Sequence, residues 1–576
     1  MVKMPDFFCY VSTGEGGVVG AEGPFASDGR LTVFLDGYLR RVGQYVPYSR
    51  SATRLLDLFK DVPGRDRPLF EGSFCAAIYD RHQNVMTLIT DIYGSRPLYY
   101  CRRGQEVFLS TRLHRLVEVM EHLAVPADAL ADSKALGFVR APITMIEGIC
   151  SVPRNSVVDI RLTEGATYTD IRPSRLASNP PGSEESSLLI TEIESALEQE
   201  FQALGKAHRR VAILLSGGID SSILASYAAQ HFDQAVAFSC EIEGFDNPEL
   251  ERARYVATQL KIPHKIIQLR KSDVLPLFER VVDLMEGPSR HINNIVTLHL
   301  FDAIHGYDAI IGGDGADALF GSNNQKTITN QSSKLKLISR LPGFARAGLR
   351  FLASALSLEK SEQAQNFLTH DIDWFIDHLF TIRYGKGERW VADTLGIPCF
   401  TSGGDRFQCS ESVIAKSIEA NFELFLNSML LRNSLLSKGC NAPMYYPFLT
   451  EGMLQVFKRV PDNLRFDNAG EAKPLLRELC RQRLGSTVVE WPKLGFVTPE
   501  KSWLSSELRA KVERLYSGKG GMMQVLSLSL GVPEQDALAG STRLLWWLIG
   551  LDECLLHYQD ALSKTESCTT GGEIGE

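Results

Sequence analysis

The stretch that decides the fold is Val211-Ala212-Ile213-Leu214-Leu215-Ser216-Gly217-Gly218-Ile219-Asp220-Ser221-Ser222, followed by Ile223-Leu224-Ala225-Ser226-Tyr227-Ala228-Ala229. An unbroken apolar run rich in branched side chains predicts a buried strand of a parallel sheet. Ser216, Gly217 and Gly218 then predict a tight turn in which no side chain blocks a ligand, and the apolar-periodic run beyond them predicts a helix. Strand, tight turn and helix N-terminus together aim backbone N–H groups and the positive end of a helix dipole at an anion. Ser216, Ser221 and Ser222 add hydroxyl donors. Asp220 repels phosphate directly but suits a magnesium ion that holds one.

Working outward, the same grammar repeats. Ala235–Cys240 and Lys265–Leu269 read as further strands, and Asn247-Pro248-Glu249 opens a helix running to about Leu260. Ala309-Ile310-Ile311-Gly312-Gly313-Asp314-Gly315-Ala316-Asp317-Ala318-Leu319-Phe320-Gly321 is again strand, glycine-rich turn and helix. Strands alternating with helices predict a doubly wound parallel sheet, with ligand sites at the carboxyl ends of its strands.

The common nucleotide loop ends in Gly-Lys-Ser/Thr, and no lysine follows the glycines here. Ser216-Gly-Gly-x-Asp-Ser-Ser222 instead resembles the pyrophosphate loop (PP-loop) of ATP pyrophosphatases, which cut ATP between its α- and β-phosphates and adenylylate a substrate. The 309–321 segment resembles the Gly-x-Gly-x-Asp-x-x-Phe-Gly segment of asparagine synthetases and β-lactam synthetases. The resemblance implies ATP and Mg2+. Ser216, Gly217, Gly218, Ser221, Ser222 and Gly313 would face pyrophosphate. Asp220 and Asp317 would be the metal ligands, and Leu214 and Ser239 would lie beside adenine. Asp314 occupies the place of a catalytic glutamate or tyrosine, and a plain turn aspartate is the other reading of it. Met444-Tyr445-Tyr446-Pro447-Phe448-Leu449 and Glu471-Ala472-Lys473-Pro474-Leu475-Leu476-Arg477 continue the similarity. Trp491-Pro492-Lys493-Leu494-Gly495 matches the loop whose lysine, here Lys493, lies over the α-phosphate and acts catalytically.

The first 160 residues read as β-rich, with short strands at 31–35, 74–79, 85–89 and 97–100 and a helix over 51–60. Phe70-Glu-Gly-Ser-Phe74 and Asp91-Ile-Tyr-Gly94-Ser-Arg-Pro97-Leu-Tyr-Tyr100 look like the glutaminase domain of class B asparagine synthetases, with Ile149–Pro153 as its closing strand. That family carries a nucleophilic cysteine directly after the initiator methionine. Val2 stands in that place, Cys9 is internal, and Asp36-Gly37 replaces Asn-Gly at the oxyanion position. The implied architecture is α/β and α+β. Residues 1–165 form a degenerate glutaminase-like (Ntn-type) β-sandwich domain without the catalytic Cys, and 166–187 a linker. Residues 188–564 form the ATP-pyrophosphatase domain with helical additions, and 565–576 a disordered tail.

The chain has 576 residues, room for two or three domains, with 44% hydrophobic and 23% charged residues. Its net charge of −8 argues against nucleic-acid binding, and no apolar run is long enough for a membrane span. Eleven cysteines without Cys-x-x-Cys pairs suit reduced thiols in a cytoplasmic protein. Lys326, Lys334, Lys336, Arg340, Arg346 and Arg350 form a basic segment, read either as a solvated helical face or as a contact surface.

Three families share this layout: asparagine synthetases, β-lactam and carbapenam synthetases, and lasso-peptide cyclases. All adenylylate a carboxylate and pass the acyl group to an amine. Counting back from Pro447, the partner of the residue at 314 falls near Leu431, which cannot accept a proton. A peptide α-amine needs no strong base, since a pKa near ~7.7–8.0 leaves a useful neutral fraction. The closest resemblance is therefore to the cyclases (macrolactam synthetases). The implied partners are a precursor peptide, a leader peptidase and a leader-binding protein. A catalytically silent ATP- or partner-binding scaffold is the reading of another class.

Overall fold

The computed structural model describes residues 6–12, 17–41, 44–46, 48–61, 71–104, 106–163, 166–173, 185–289, 291–322, 342, 345, 413–440, 442–461, 464–465, 471–492, 497–527 and 542–570. Val2, Lys493, all six cations of the basic segment and residues 174–184 lie outside the described residues.

Among the described residues the N-terminal domain is two antiparallel sheets face to face. The smaller runs in the order 149–151, 99–103, 106–110, 8–12, 17–22, and the larger in the order 166–173, 156–163, 85–90, 71–80, 31–41, 25–27. Their facing sides meet in one core, Cys9, Val11, Val107 and Leu109 of the smaller sheet against Phe34, Cys75, Ala77, Met86, Val158 and Ile160 of the larger. This is the predicted sandwich, with two corrections. Ile149–Ser151 does not close the domain, because the hairpin Ser156–Thr163 and Ala166–Pro173 follows it in the larger sheet. Val158, Ile160 and Leu162 alternate inward and their backbones pair with 85–89 or 166–173, so the expected linker start at 166 falls inside a paired strand.

The helix Ser186–Ala207 leads into the second domain. Its sheet is wholly parallel, in the order 264–269, 234–242, 210–214, 309–311, 444–445. The strands Arg210–Leu214 and Ala309–Ile311 lie side by side. The strand order reverses there, which is where an open α/β sheet leaves a crevice at its carboxyl edge. Both glycine-rich turns emerge at that edge.

The tail is also corrected. A helix runs Thr542–Thr570, so residues 565–570 continue a helix rather than a disordered segment. Leu544, Trp547, Leu548, Leu551, Leu555 and Tyr558 are buried along it at helical spacing. Trp546 packs edge-on against Phe278 at 5.3 Å, and the Tyr558 hydroxyl donates to the Glu286 carbonyl at 2.5 Å. Glu286 locks the two domains together. Its buried carboxylate accepts from Arg112 Nε at 3.0 Å, His114 Nδ1 at 2.6 Å and the Leu113 N–H at 2.9 Å.

Candidate active site

The first turn folds around its own hydroxyls. Gly217 has φ +75°, and a Cβ there would lie 2.5 Å from Arg252 Cβ, so only glycine fits. Gly218 caps the helix Ile219–His231. Ser216 Oγ lies 3.1 Å from Ser221 Oγ and accepts from the Gly218 N–H at 3.2 Å. These bonds hold the turn open at the helix N-terminus, where unpaired N–H groups favour an anion. Ser222 is fully buried one residue further along.

The second turn closes against the first. A Cβ on Gly313 would lie 3.6 Å from Asp220 Cβ and 3.7 Å from the Ser221 nitrogen, ordinary contact distances that place the second turn directly against the first. Asp220 and Asp317, far apart in sequence, converge on one cation: Lys473 Nζ lies 2.6 Å from Asp220 Oδ2 and 2.8 Å from Asp317 Oδ1. Lys473 is buried, with φ +62°, at the N-cap of the helix Pro474–Leu484. Burial alone would lower its pKa, but the two carboxylates outweigh that and raise it. Lys473 stands in the 471–477 motif, yet nothing local to that motif says which acids it will meet.

Leu214 pairs with Phe238, and the Leu215 N–H donates to the Phe238 carbonyl at 3.0 Å. Ser239 lies level with the end of the strand Arg210–Leu214. Its hydroxyl donates to the Leu215 carbonyl at 2.5 Å and lies 2.8 Å from His264 Nε2.

Asp314 follows the strand Ala309–Ile311 and accepts from Asn433 Nδ2 at 2.9 Å. Crowding by surrounding protein raises its pKa, against a lowering pull from Arg432 and Asn433. The partner expected at Leu431 is corrected to Asn433. Two residues along a helix turn the side chain by about 200°, so Leu431 faces a cavity while Asn433 faces the turn. Arg432 and Asn433 were both missed by sequence reasoning.

Lys493 lies outside the described residues, but its neighbours do not. Arg252 Nη1 donates to the Pro492 carbonyl at 2.7 Å, and the same guanidinium lies over the Trp491 ring at 5.4 Å. Arg252 is also the residue that presses against Gly217.

Among the described residues no three His, Cys, Asp or Glu side chains cluster as a metal cage. Two carboxylates suffice for a magnesium ion whose remaining ligands are phosphate and water oxygens. Asp220 Oδ1 is buried with no hydrogen-bond partner, an acceptor that a cation would satisfy, so the residues present fit the metal. No described helix is long and apolar enough to cross a membrane.

Comparison with known proteins follows the same two-part division. Residues 192–552 match the asparagine synthase family and residues 49–169 match a glutamine amidotransferase domain. Asparagine synthetase [glutamine-hydrolyzing] 1 of Bacillus subtilis is 22% identical over 454 residues, covering 77% of this chain and 70% of that protein. Amidase chry2 of Gibberella zeae is 21% identical over 540 residues, covering 82% and 78%. Amidase chyE of Penicillium rubens is 23% identical over 490 residues, covering 77% and 72%. With more than half of its length matched, and with both halves matched in the order the fold shows, the chain belongs to the asparagine synthase family of ATP-dependent amide ligases.

Proposed function

We propose that the chain is a cytoplasmic macrolactam synthetase of the lasso-peptide cyclase kind. It adenylylates an Asp or Glu side chain of a precursor peptide and closes it onto the peptide's N-terminal amine. A carboxylate oxygen attacks the α-phosphorus of ATP and pyrophosphate leaves. The amine then attacks the acyl carbon, loses a proton, and AMP leaves. The observation that carries the reading is the meeting of Asp220 and Asp317 on Lys473 beneath two glycine turns.

In this reading Ser216, Gly217, Gly218, Ser221 and Gly313 cradle the phosphates, the fully buried Ser222 stands behind the turn, and Lys473 balances the phosphate charge. Asp220 and Asp317 would hold Mg2+, which supplies neutralisation of the β- and γ-phosphates when bound. Leu214 and Ser239 border the adenine. Lys493, next to the tethered Pro492, neutralises the α-phosphate in both steps. Asp314, kept basic by its surroundings, takes the proton from the amine.

Three observations favour a ring-closing ligase over one fed by glutamine. Asp36 is buried in an ion pair with Arg96 at 2.8 Å, and an ionised carboxylate donates no hydrogen bond to an oxyanion. The Cys9 thiol is fully buried, and burial pushes its pKa up. Asp314 is partnered by the neutral amide of Asn433 rather than by a second acid, which suits an α-amine nucleophile. The partners that follow are the precursor peptide, a leader peptidase and a leader-binding protein.

The second reading is an asparagine- or β-lactam-type ligase acting on a small molecule, favoured by the match to the Bacillus subtilis synthetase. Incubation with ATP, Mg2+ and a leader-free core peptide tests both. AMP, pyrophosphate and a peptide lighter by one water support cyclisation. Ammonia release from glutamine would overturn it, and absence of ATP–pyrophosphate exchange would leave the silent scaffold.

A further inference from the structure

A cavity of about 1060 Å³, counted with its open mouth, lies where the two domains meet. Its walls are largely apolar: Leu98 and Val152 from the N-terminal domain, Phe138 and Met145 from the segment beyond the helix Ala127–Leu136, and Met285 and Leu435 from the ligase domain.

Most charges in these walls are already matched. Arg96 pairs with Asp36, Arg154 with Glu423, and Glu286 with Arg112 and His114. Arg432 is different. Its side chain is buried, with 7% of the residue exposed. Nε and Nη2 both donate to Asn433 Oδ1, at 3.1 and 2.8 Å, and Nη1 is buried with no partner. The nearby carboxylate is Asp314, whose charge acts on Arg432 while its hydrogen bond goes to Asn433. A buried guanidinium with one nitrogen left without a hydrogen bond is costly, and a carboxylate brought by a ligand would complete it. Asn433 fixes both sides: its amide nitrogen orients Asp314 and its oxygen orients Arg432. Arg432 also lines the cavity, next to Asn433 and Asp314.

We propose that the cavity receives a carboxylic acid with an apolar body and that Arg432 pairs with its carboxylate through Nη1, as the seat of the acyl donor. The proposal rests on the amide-ligase reading and narrows its substrate class. Free aspartate, with two carboxylates and an ammonium, leaves the apolar walls uncovered. An acyl donor flanked by apolar groups fills them.

The test is calorimetric titration of the full-length chain with butyrate, hexanoate, octanoate and 4-phenylbutyrate, each beside its primary amide, and with L-aspartate. Each acid is expected to bind about tenfold or more tightly than its amide, as a charge-assisted pair lost on neutralisation predicts. Affinity is expected to rise with the apolar body and to exceed that of aspartate. Arg432→Gln is expected to abolish the acid-over-amide difference. Equal binding of acid and amide by the unmodified chain overturns the proposal, and that comparison needs no variant to fold. A preference that survives Arg432→Gln overturns it too. Titration with Mg-ATP separates the two levels: acids failing while ATP binds removes the Arg432 seat alone, whereas failure to bind ATP removes the ligase reading beneath it.

Discussion

The Lys473 ammonium stands between Asp220, 253 residues earlier, and Asp317, and touches both at hydrogen-bond distance. Two carboxylates that would otherwise repel each other across the crevice are thereby held as a pair. Were Asp220 and Asp317 to hold a divalent cation, the same ammonium would be free to meet phosphate.

Lys473→Ala should therefore damage nucleotide chemistry rather than folding. Loss of one preorganised charge at a site of developing negative charge costs ~10²–10³ in rate. ATP–pyrophosphate exchange is expected to fall by about 10²-fold or more, with a raised KM for ATP because Asp220 and Asp317 are left facing each other. Lys473→Arg should recover only part, since the planar guanidinium cannot replace a compact ammonium between two carboxylates. Exchange at the unmodified rate in Lys473→Ala would remove the lysine from the site.

Asp314→Asn should split the two half-reactions. Adenylation moves no proton from an amine, so exchange should persist in the variant. Amide formation needs the proton removed and should fall by about 10²-fold. Because its surroundings raise the Asp314 pKa, the carboxylate loses its base function as pH falls through that raised value. Beyond the acid limb set by the amine itself, amide formation should show a second one above the ordinary aspartate range, and that second limb should vanish in Asp314→Asn. A profile that the substitution leaves unchanged would make Asp314 a turn residue.

The sequence made the turns legible because their physics is local. A buried strand, glycines and a helix start lie within a single short stretch at 211–222 and again at 309–321. Gly217 announces itself because no other residue tolerates its φ and its approach to Arg252. What brings Lys473 to Asp220 is tertiary, and no spacing rule spans 253 residues. Asn433 was displaced from the expected position by two residues. A straight count back from Pro447 crosses the 3-10 turn Ser437–Cys440, and helical periodicity carries no register through that turn. The hairpin 156–173 was divided wrongly for a related reason: the alternation of Val158, Ile160 and Leu162 is clear, but the strand that seats the hairpin in the sheet, 85–90, lies about 70 residues away.

Glu286 should make the domain junction acid-sensitive. Burial alone would raise its pKa; Arg112, His114 and the Leu113 N–H outweigh that and hold it at about 2, against an ordinary 4.5. A depressed folded value stabilises above the unfolded pKa, and the gain is lost as pH falls from about 4.5 toward 2. That gap corresponds to about 3 kcal/mol. Glu286→Gln should lower stability at pH 7 by a similar amount, with Arg112 left only the more distant Asp6 carboxylate at 3.9 Å and the Asp283 carbonyl. The difference between the two proteins, read from urea midpoints at pH 7, 4 and 3, should shrink as the pH falls. A constant difference would mean the junction does not depend on that charge.

Trp546→Ala should loosen the ligase side of the junction first. The indole is 3% exposed and meets the Phe278 ring edge-on, tying the helix Thr542–Thr570 to the helix Val274–Met285, which ends at Glu286. Removing a buried tryptophan side chain costs about 3–5 kcal/mol. The helix also carries Tyr558, whose hydroxyl holds the Glu286 carbonyl, so the loss should reach the interdomain lock. Hydrogen exchange is expected to quicken across 542–558 and 274–286 while the amides of 71–80 and 85–90, in the core of the N-terminal sandwich, keep their protection. Equal loosening of both regions would show that the C-terminal helix supports the whole chain rather than one side of the junction.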